Sequence, residues 1–552
     1  MPPRSSVPRH PLLGRPLYAL VLIGGIALLA TGWYTHGATS DLAGGRSTYI
    51  EGVVGRPARP SPLFAGSNPV DADLAALLFA GLTRIVGDGT PVPDLAERWE
   101  ATPDGLTYTF HLRPNLTWHD GARLHAEDVA FTVAAVQAQG FQGAPTLAAR
   151  WAGITVTVVD AQTVAFRLTA PSPGFLAQAA LGLVPKHRLG GLTAAQLLDA
   201  PRDAATIGSG PFRLAALDDV RAVLEPNPGY HLGVPGLDAI ELRFYRDQPA
   251  LTRAIAAGEL SAALLPETPD ADLARAVASR PALRATALTM GGYTALYVNN
   301  QRGLLADPAL RRALAASIDR TALPGSSAAL PGTLAGPLPG DGPIVPGSWA
   351  YAPGGWPTLA QAEALYIAAG WPRGADGVRA KSIARLRLEL VTNIDPEREA
   401  LANAVAAQLR ALGVEVAVRA LPAGELLRDR IEPRDFDLLL FGWQTDIDPD
   451  PYGGWHTSQI GRGGRNVAGF HDVEADRALE AARQTLDTAE RRDLYATFGA
   501  RFIDQAPAVV LQYPRRAYVQ PRHLDGIAGG VLFDPAERFR EVYRWHFAPA
   551  GR

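Results

Sequence analysis

Two periodicities of hydrophobic residues along the chain predict both helices and strands. Apolar residues three and four positions apart predict helices at residues 70–82, 126–139, 308–317, 359–369 and 396–412. Alternating apolar and polar residues predict half-buried strands at residues 107–112, 154–159, 163–168, 240–245 and 414–418. Because the two kinds of element do not alternate strictly, the pattern predicts mixed α/β and α+β lobes and argues against a solenoid of repeats.

One apolar run has neither periodicity. Residues 437–444 (DLLLFGWQ) are almost continuously apolar and are bounded by charged residues, which is typical of a strand buried on both faces. This strand would bring Thr445, Asp446, Ile447 and Asp448 to its end. A carboxylate at that position can lie in a cleft.

The N-terminus carries a membrane-targeting segment. Pro16 to Trp33 is uncharged and apolar, and three arginines precede it. Eighteen residues at about 1.5 Å per residue span roughly 27 Å, close to the thickness of a bilayer core. Residues 1–15 are therefore expected in the cytoplasm, residues 16–34 as an anchor or signal, and residues 35–62 as a linker. An uncleaved anchor is favoured, and cleavage stays open.

Net charge, cysteine content and length exclude several classes of function. The 552 residues have a formal net charge of -3, which gives no long-range field that would attract nucleic acid. The chain has no cysteine, so disulfides, thiolate nucleophiles and thiolate metal sites are excluded. Its length predicts two or three domains. No second apolar run of membrane length follows the first, so the rest is predicted to be a soluble, exported body.

No catalytic or metal-binding motif stands out. The zinc-protease, nucleophile-elbow, phosphate-loop and dinucleotide fingerprints are absent, and the eleven histidines are dispersed. The spacing of Asp446, Asp448 and Asp450 resembles the start of a calcium loop. However, Pro451 stands where that loop needs glycine, and Thr457 stands where it needs glutamate. The prediction is a protein without enzymatic activity, metal or cofactor.

A collinear series of motifs resembles one family. The most specific block is residues 91–133 (PVPDLAERWEATPDGLTYTFHLRPNLTWHDGARLHAEDVAFTV). Further blocks follow in order at residues 183–187 (LVPKH), 207–212 (IGSGPF), 225–230 (EPNPGY), 297–299 (YVN), 307–320 and 441–446 (FGWQTD). Together they are similar to family 5 extracellular solute-binding proteins, which include the oligopeptide-, dipeptide- and nickel-binding components of ABC importers. The resemblance covers nearly all of residues 60–530.

The resemblance implies a fold and a division of the chain. The fold is α/β, two-lobed and periplasmic-binding-protein-like (type II, cluster C), with an extra domain inserted in the first lobe, and it closes on ligand by hinge motion. The first lobe would be discontinuous, made of residues 63–85, about 186–291 and about 515–552. The inserted domain would be residues 86–185 and the second lobe residues 292–514.

Most signature residues have a structural explanation. Gly105, Gly121 and Gly210 are predicted to supply turn conformations, and Asp128 to cap a helix. Three aromatic residues, Tyr108, Phe110 and Trp118, are predicted to fill a core. His125 departs from the family, which usually has threonine at this helix start, so a weaker cap is expected.

Asp446 is the main predicted ligand contact. In peptide-binding relatives the aspartate three residues after this tryptophan accepts the peptide's α-ammonium group. The alternative is that Asp446 caps a turn before the Asp-Pro-Asp-Pro sequence. Trp443 and Gln444, at the end of the same strand, are further predicted contacts, and Trp443 could instead pack in the core.

Weaker predicted contacts lie elsewhere. Phe64 and Asn68 precede the first helix, where relatives line the cleft. Tyr293 and Tyr297 enter the second lobe, and an alternating strand also explains them. The group that binds a peptide's carboxylate is not readable, since many arginines, including Arg379 and Arg398, could serve.

The sequence thus predicts an extracytoplasmic solute-binding protein that captures peptides for the permease of an ABC importer. It would act as a monomer, at the outer face of the cytoplasmic membrane or in the periplasm, held by or exported through its N-terminal segment. Two alternatives stay open. The same fold could bind an oligosaccharide, a metal chelate or another small solute, or the chain could be a membrane-anchored ligand sensor.

Overall fold

The computed structural model describes residues 47–325, 336–461 and 463–548. The predicted membrane-targeting segment at residues 16–34 lies outside these ranges. Within them, no helix combines the length and the apolar character needed to cross a bilayer.

The first lobe is built on a four-stranded mixed sheet. Its strands, in spatial order, are Thr48–Val54, Ala239–Tyr245, Arg221–Pro226 and Phe212–Leu217. Thr48–Val54 runs parallel to its neighbour over seven residue pairs, and Tyr49 and Glu51 in it are fully buried. This finding corrects part of the predicted linker at residues 35–62, because residues 48–54 form a strand of the core.

Helix Pro69–Leu78 packs in this lobe and ends earlier than the pattern predicts. Phe79 is extended, and the Leu78 carbonyl oxygen accepts a hydrogen bond of 2.9 Å from the Gly210 N–H. The segment of residues 207–212, which crosses at this point, therefore ends the helix. Gly210 was predicted to supply a turn conformation, but it is absent from the residues with positive φ. A Cβ at Gly210 would lie 2.5 Å from the Leu78 carbonyl carbon, so the glycine permits a close approach of two backbones.

The segment predicted as an inserted domain has its own antiparallel sheet. Its strands, in order, are Ala96–Ala101, Thr107–Leu112, Thr163–Arg167 and Thr155–Asp160. Gly105 lies in the turn of the first hairpin with φ +66°, and Gly121 has φ +84°, which confirms their predicted turn roles. Tyr108, Phe110 and Trp118 are buried, as predicted. Helices Ala126–Gln137 and Pro145–Trp151 complete this segment.

The second lobe contains a six-stranded sheet. In order, the strands are Leu338–Pro339, Ala508–Tyr513, Gly292–Val298, Leu438–Gln444, Arg387–Asn393 and Glu415–Leu421. The main helices of this lobe are Pro308–Ala316, Leu359–Ala368, Pro396–Ala411, Val473–Ala482 and Thr488–Gln505. Every residue of Gly292–Val298 is buried, and Leu438, Leu439 and Leu440 are fully buried beside it. Burial on both faces explains the continuous apolar run in the sequence.

A third sheet is connected to the six-stranded sheet at two points of the chain. Its strands, in order, are Ala263–Leu264, Arg515–Pro521, Leu283–Met290 and Val531–Leu532. Leu283–Met290 leads through Gly291 into the second-lobe sheet, and Ala508–Tyr513 returns from it through Pro514. Two short, adjacent crossings of this kind are where a hinge between lobes is expected.

The remaining elements are short or peripheral. The other α-helices of the described ranges are Phe175–Gln178, Lys186–Leu189, Arg202–Ala205, Gln248–Ala257, Ala271–Ala278, Ala423–Leu426 and Tyr452–Trp455. Two-stranded ribbons pair Thr83–Ile85 with Pro91–Pro93, Ala380–Lys381 with Ala384–Arg385, and Leu524–Asp525 with His546–Phe547.

Candidate ligand-binding site

A cavity of about 530 Å³ lies at the carboxyl end of strand Leu438–Gln444. We call it the central cavity. One wall comes from Arg150 and residues 171–178, the opposite wall from residues 343–348 and 443–455, and Phe533 adds a further contact. Its size is within the range of small-ligand sites, and ligands of α/β sheets bind at the carboxyl ends of strands.

Four of the predicted contacts line this cavity: Trp443, Gln444, Asp446 and Tyr293. Tyr293 and Trp443 are directly opposite each other on neighbouring antiparallel strands, so the sheet register brings their positions together. The Gln444 side chain is fixed by a hydrogen bond of 2.9 Å that its Nε2 donates to the Phe533 carbonyl oxygen.

Three other predicted contacts are not among the lining residues. Tyr297 lies deeper in the same strand as Tyr293, 2% exposed, and stacks on Trp455 with ring centroids 5.7 Å apart. Burial raises the pKa of its hydroxyl well above the usual value. Phe64 stacks on Phe141, again at 5.7 Å.

Asn68 is the cap of the first long helix. Its Oδ1 accepts a hydrogen bond of 3.0 Å from the Val70 N–H, and its Nδ2 donates one of 2.9 Å to the Arg56 carbonyl oxygen. Both ends of the side-chain amide are therefore engaged in local structure.

Asp446 forms an ion pair with Arg150 across the cavity. Both side chains are largely exposed, Asp446 at 67% and Arg150 at 54%. Asp446 makes no backbone hydrogen bond as a turn cap with any described residue. That local role falls to Asp450, whose Oδ1 accepts from the Tyr452 N–H at 3.0 Å.

Asp448 and Arg491 form the most enclosed ion pair of the cavity. The two Nη atoms of Arg491 donate to the two carboxylate oxygens of Asp448 at 3.0 and 2.7 Å, a bidentate geometry. Arg491 also donates to the Tyr495 hydroxyl at 2.9 Å and lies 5.0 Å from the ring centroid of Trp349. Burial raises the pKa of Asp448, while the Arg491 guanidinium opposes this shift.

A third aspartate of the cavity is paired as well. Arg483 Nε donates to Asp450 at 2.7 Å, and its guanidinium lies 3.6 Å from the ring centroid of Tyr452. The three aspartates of the Asp-x-Asp-x-Asp sequence therefore each pair with an arginine. No group of acidic or histidine side chains suited to a metal ion occurs in the described ranges.

Comparisons with known proteins identify the family. The model of "Bacterial extracellular solute-binding proteins, family 5 Middle" matches residues 90–464. The chain belongs to this family. It is 25% identical to the oligopeptide-binding protein AppA of Bacillus subtilis (strain 168), over 90% of this chain and 91% of that one. It is 28% identical to di/tripeptide-binding protein 4 of Pseudomonas aeruginosa (strain UCBPP-PA14), over 84% and 89%.

Solved structures share the fold of this family 5 protein. The unliganded open form of MppA, a periplasmic murein tripeptide binding protein, superposes with a TM-score of 0.77 and covers 91% of this chain. That structure is itself covered to 98%, at 21% identity. The predicted two-lobed α/β fold and the predicted family are confirmed.

Neither arginine singled out for a ligand carboxylate lines the central cavity of this family 5 protein. Arg379 is fully buried, pairs with Glu363 and lies 3.9 Å from the ring centroid of Tyr366. The Arg398 guanidinium lies against Gly442, where a Cβ would be 2.3 Å from its Nη2. This contact gives the glycine of the Phe441-Gly442-Trp443 motif a packing role.

The cations of the cavity could not be predicted from the sequence. Arg150, Arg465, Arg483 and Arg491 come from segments far apart in the chain, and no motif marks them among the many arginines. The arrangement can bind a polar or charged ligand through guanidinium and carboxylate groups, with Trp443 and Tyr293 supplying apolar surface.

Proposed function

We propose that this chain captures peptides in the central cavity and delivers them to the permease of an ABC importer. The observation that carries the proposal is Asp446, a carboxylate on the cavity wall. The family resemblance implies that a residue at this position contacts a peptide's α-ammonium group. A carboxylate–ammonium hydrogen bond contributes on the order of 1.5–3 kcal/mol and selects for a free amine. The names of the relatives, an oligopeptide-binding and a di/tripeptide-binding protein, support the same ligand class.

The proposal also covers location and assembly. The body would lie outside the cytoplasm, held by or exported through residues 16–34, and would act as a monomer without covalent chemistry. Trp443, Gln444 and Tyr293 would contact the ligand beside Asp446. Phe64, Asn68 and Tyr297 stay weaker predictions. Residues 86–185 would form the inserted domain between the parts of the first lobe.

Thermal unfolding of the full-length chain in mild detergent tests the ligand class. Ligands that bind the folded state raise the melting temperature by mass action. At a ligand concentration of a hundred times Kd, the free energy of unfolding increases by about 2.7 kcal/mol. We expect free-amine di- to pentapeptides to raise it, and their N-acetylated forms to raise it much less. In Asp446→Asn this difference should disappear.

The matched control is Asp272→Asn, which removes an aspartate of similar exposure that pairs with Arg275 outside the cavity. It should respond to peptides as the wild type does. If oligosaccharides or nickel–histidine complexes stabilise wild type and Asp446→Asn equally while no peptide acts, the peptide proposal is wrong.

A further inference from the structure

The charged groups of the central cavity are not balanced. Its described lining contains three aspartates and four arginines, and no lysine, glutamate or histidine. Asp446, Asp448 and Asp450 each pair with one arginine. The fourth arginine, Arg465, has no aspartate partner in the lining, so the lining carries an excess of one positive charge.

Arg465 is exposed, and its side chain forms no hydrogen bond or ion pair with any residue of the described ranges. Its place in the fold is nevertheless fixed by the next residue. Asn466 is fully buried, and its Nδ2 donates to the carbonyl oxygens of Trp455 and His456, both at 3.2 Å, and of Phe470 at 2.8 Å. The backbone that carries Arg465 is therefore fixed at the cavity wall.

The three ion pairs differ in how easily a ligand can exchange them. Arg491 is 6% exposed and bidentate to Asp448, so breaking that pair would leave a buried charge. The Arg150–Asp446 pair is mostly exposed, and exposed pairs contribute little to stability because water solvates both partners. A ligand ammonium group can therefore replace Arg150 at Asp446.

This exchange increases the number of unpaired guanidinium groups in the cavity. When an ammonium group binds Asp446, the Arg150 guanidinium loses its partner and becomes a second free cation beside Arg465. A peptide with one amine and one carboxylate would leave one of the two guanidinium groups unpaired. A peptide with an additional carboxylate would pair with both.

We propose that the central cavity selects acidic peptides, in which carboxylates outnumber amines, and that Arg465 binds one of those carboxylates. This inference rests on the proposed peptide-binding function and names its ligand class. Once Arg150 is released from Asp446, its guanidinium group would donate to the second carboxylate of the peptide.

Isothermal titration of the full-length chain with Ala-Glu-Ala and Ala-Gln-Ala tests the inference, because the two peptides have the same shape and differ by one charge. Hydrogen bonds to charged groups of this kind correspond to about a ten- to hundredfold difference in Kd, so the wild type should bind the glutamate peptide at least tenfold more tightly. In Arg465→Gln the ratio should fall below threefold. In Arg465→Lys, which keeps the charge, it should stay above threefold.

Arg419→Gln is the matched control. Arg419 is 55% exposed on the edge strand Glu415–Leu421 and does not line the cavity, so its loss should leave the ratio unchanged. If both peptides bind the wild type equally, the charge inference is wrong and the peptide function stands. If neither peptide nor any other free-amine peptide binds, the proposed function and the inference both fail. Equal ratios in wild type and Arg465→Gln would show that Arg465 is not the selecting residue.

Discussion

His125 illustrates how a single residue departs from its family without changing the fold. It is the N-cap of helix Ala126–Gln137, and its backbone N–H donates to Asp128 Oδ2 at 2.9 Å. The Asp128 N–H donates in turn to the His125 carbonyl oxygen at 3.0 Å. The Asp128 carboxylate thus supplies one half of a capping box at this helix start.

His125→Thr should stabilise the protein. A threonine hydroxyl at this position can accept a hydrogen bond from the first-turn amides, and such caps contribute about 0.5–2 kcal/mol. We expect a gain near the lower end, because the reciprocal bond to Asp128 is already present. Chemical denaturation measured by circular dichroism checks this. His125→Ala is the control. If it stabilises the protein as much as His125→Thr does, the gain comes from removing the imidazole and the capping explanation is wrong.

At the scale of elements, the crossing of helix Pro69–Leu78 by residues 207–212 depends on two glycines. A Cβ at Gly208 would lie 1.8 Å from the Leu78 carbonyl oxygen, and one at Gly210 would lie 2.7 Å from the Phe79 nitrogen. Both neighbours are backbone atoms, which cannot move aside as a flexible side chain can. The two glycines of the motif at residues 207–212 are therefore explained by a close contact between two elements.

Gly210→Ala should destabilise the protein by about 1–3 kcal/mol, since an inserted methyl group in a packed contact forces the backbone to shift. The midpoint of urea unfolding measures the loss. Gly191→Ala is the matched control, because a Cβ there meets nothing within 4 Å. A midpoint for Gly210→Ala that equals the control's would contradict the packing explanation.

At the scale of the whole molecule, a buried charge network joins distant parts of the chain. Arg538 donates to both oxygens of Asp73 at 2.6 Å and to Glu51 at 2.8 Å. Glu51 also accepts from the Tyr49 and Tyr518 hydroxyls, both at 2.8 Å. Burial raises the pKa of Glu51, and Arg538 counteracts this. The network thus fixes the C-terminal segment to the first strand and the first helix.

Arg538→Met should cost about 3–5 kcal/mol, because two buried carboxylates lose their cation. The loss should shrink as pH falls, since protonation of the two buried carboxyl groups removes the charges that Arg538 no longer pairs. Thermal unfolding at several pH values measures both effects. Arg544→Met, which removes an arginine that is 57% exposed and paired with Glu541, should change stability by less than about 1 kcal/mol. A loss for Arg538→Met that does not vary with pH would argue against the charge explanation.

The sequence by itself determined the longer helices named above, several strands, the family and one wall of the cavity. Helix and strand periods depend on neighbours within a few residues, and Trp443, Gln444 and Asp446 follow directly from the end of one apolar strand. Gly413 follows helix Pro396–Ala411 with φ +88°, a conformation that favours glycine.

Only the tertiary structure decided which charges meet. Arg150 lies 296 positions from Asp446, Arg491 lies 43 from Asp448, and Arg465 faces the cavity without a partner in the described ranges. Pairing depends on distances in space, and no local pattern distinguishes these arginines from those elsewhere in the chain. For the same reason the sequence left Phe64 and Asn68 as candidates, whereas packing gives them Phe141 and a helix cap.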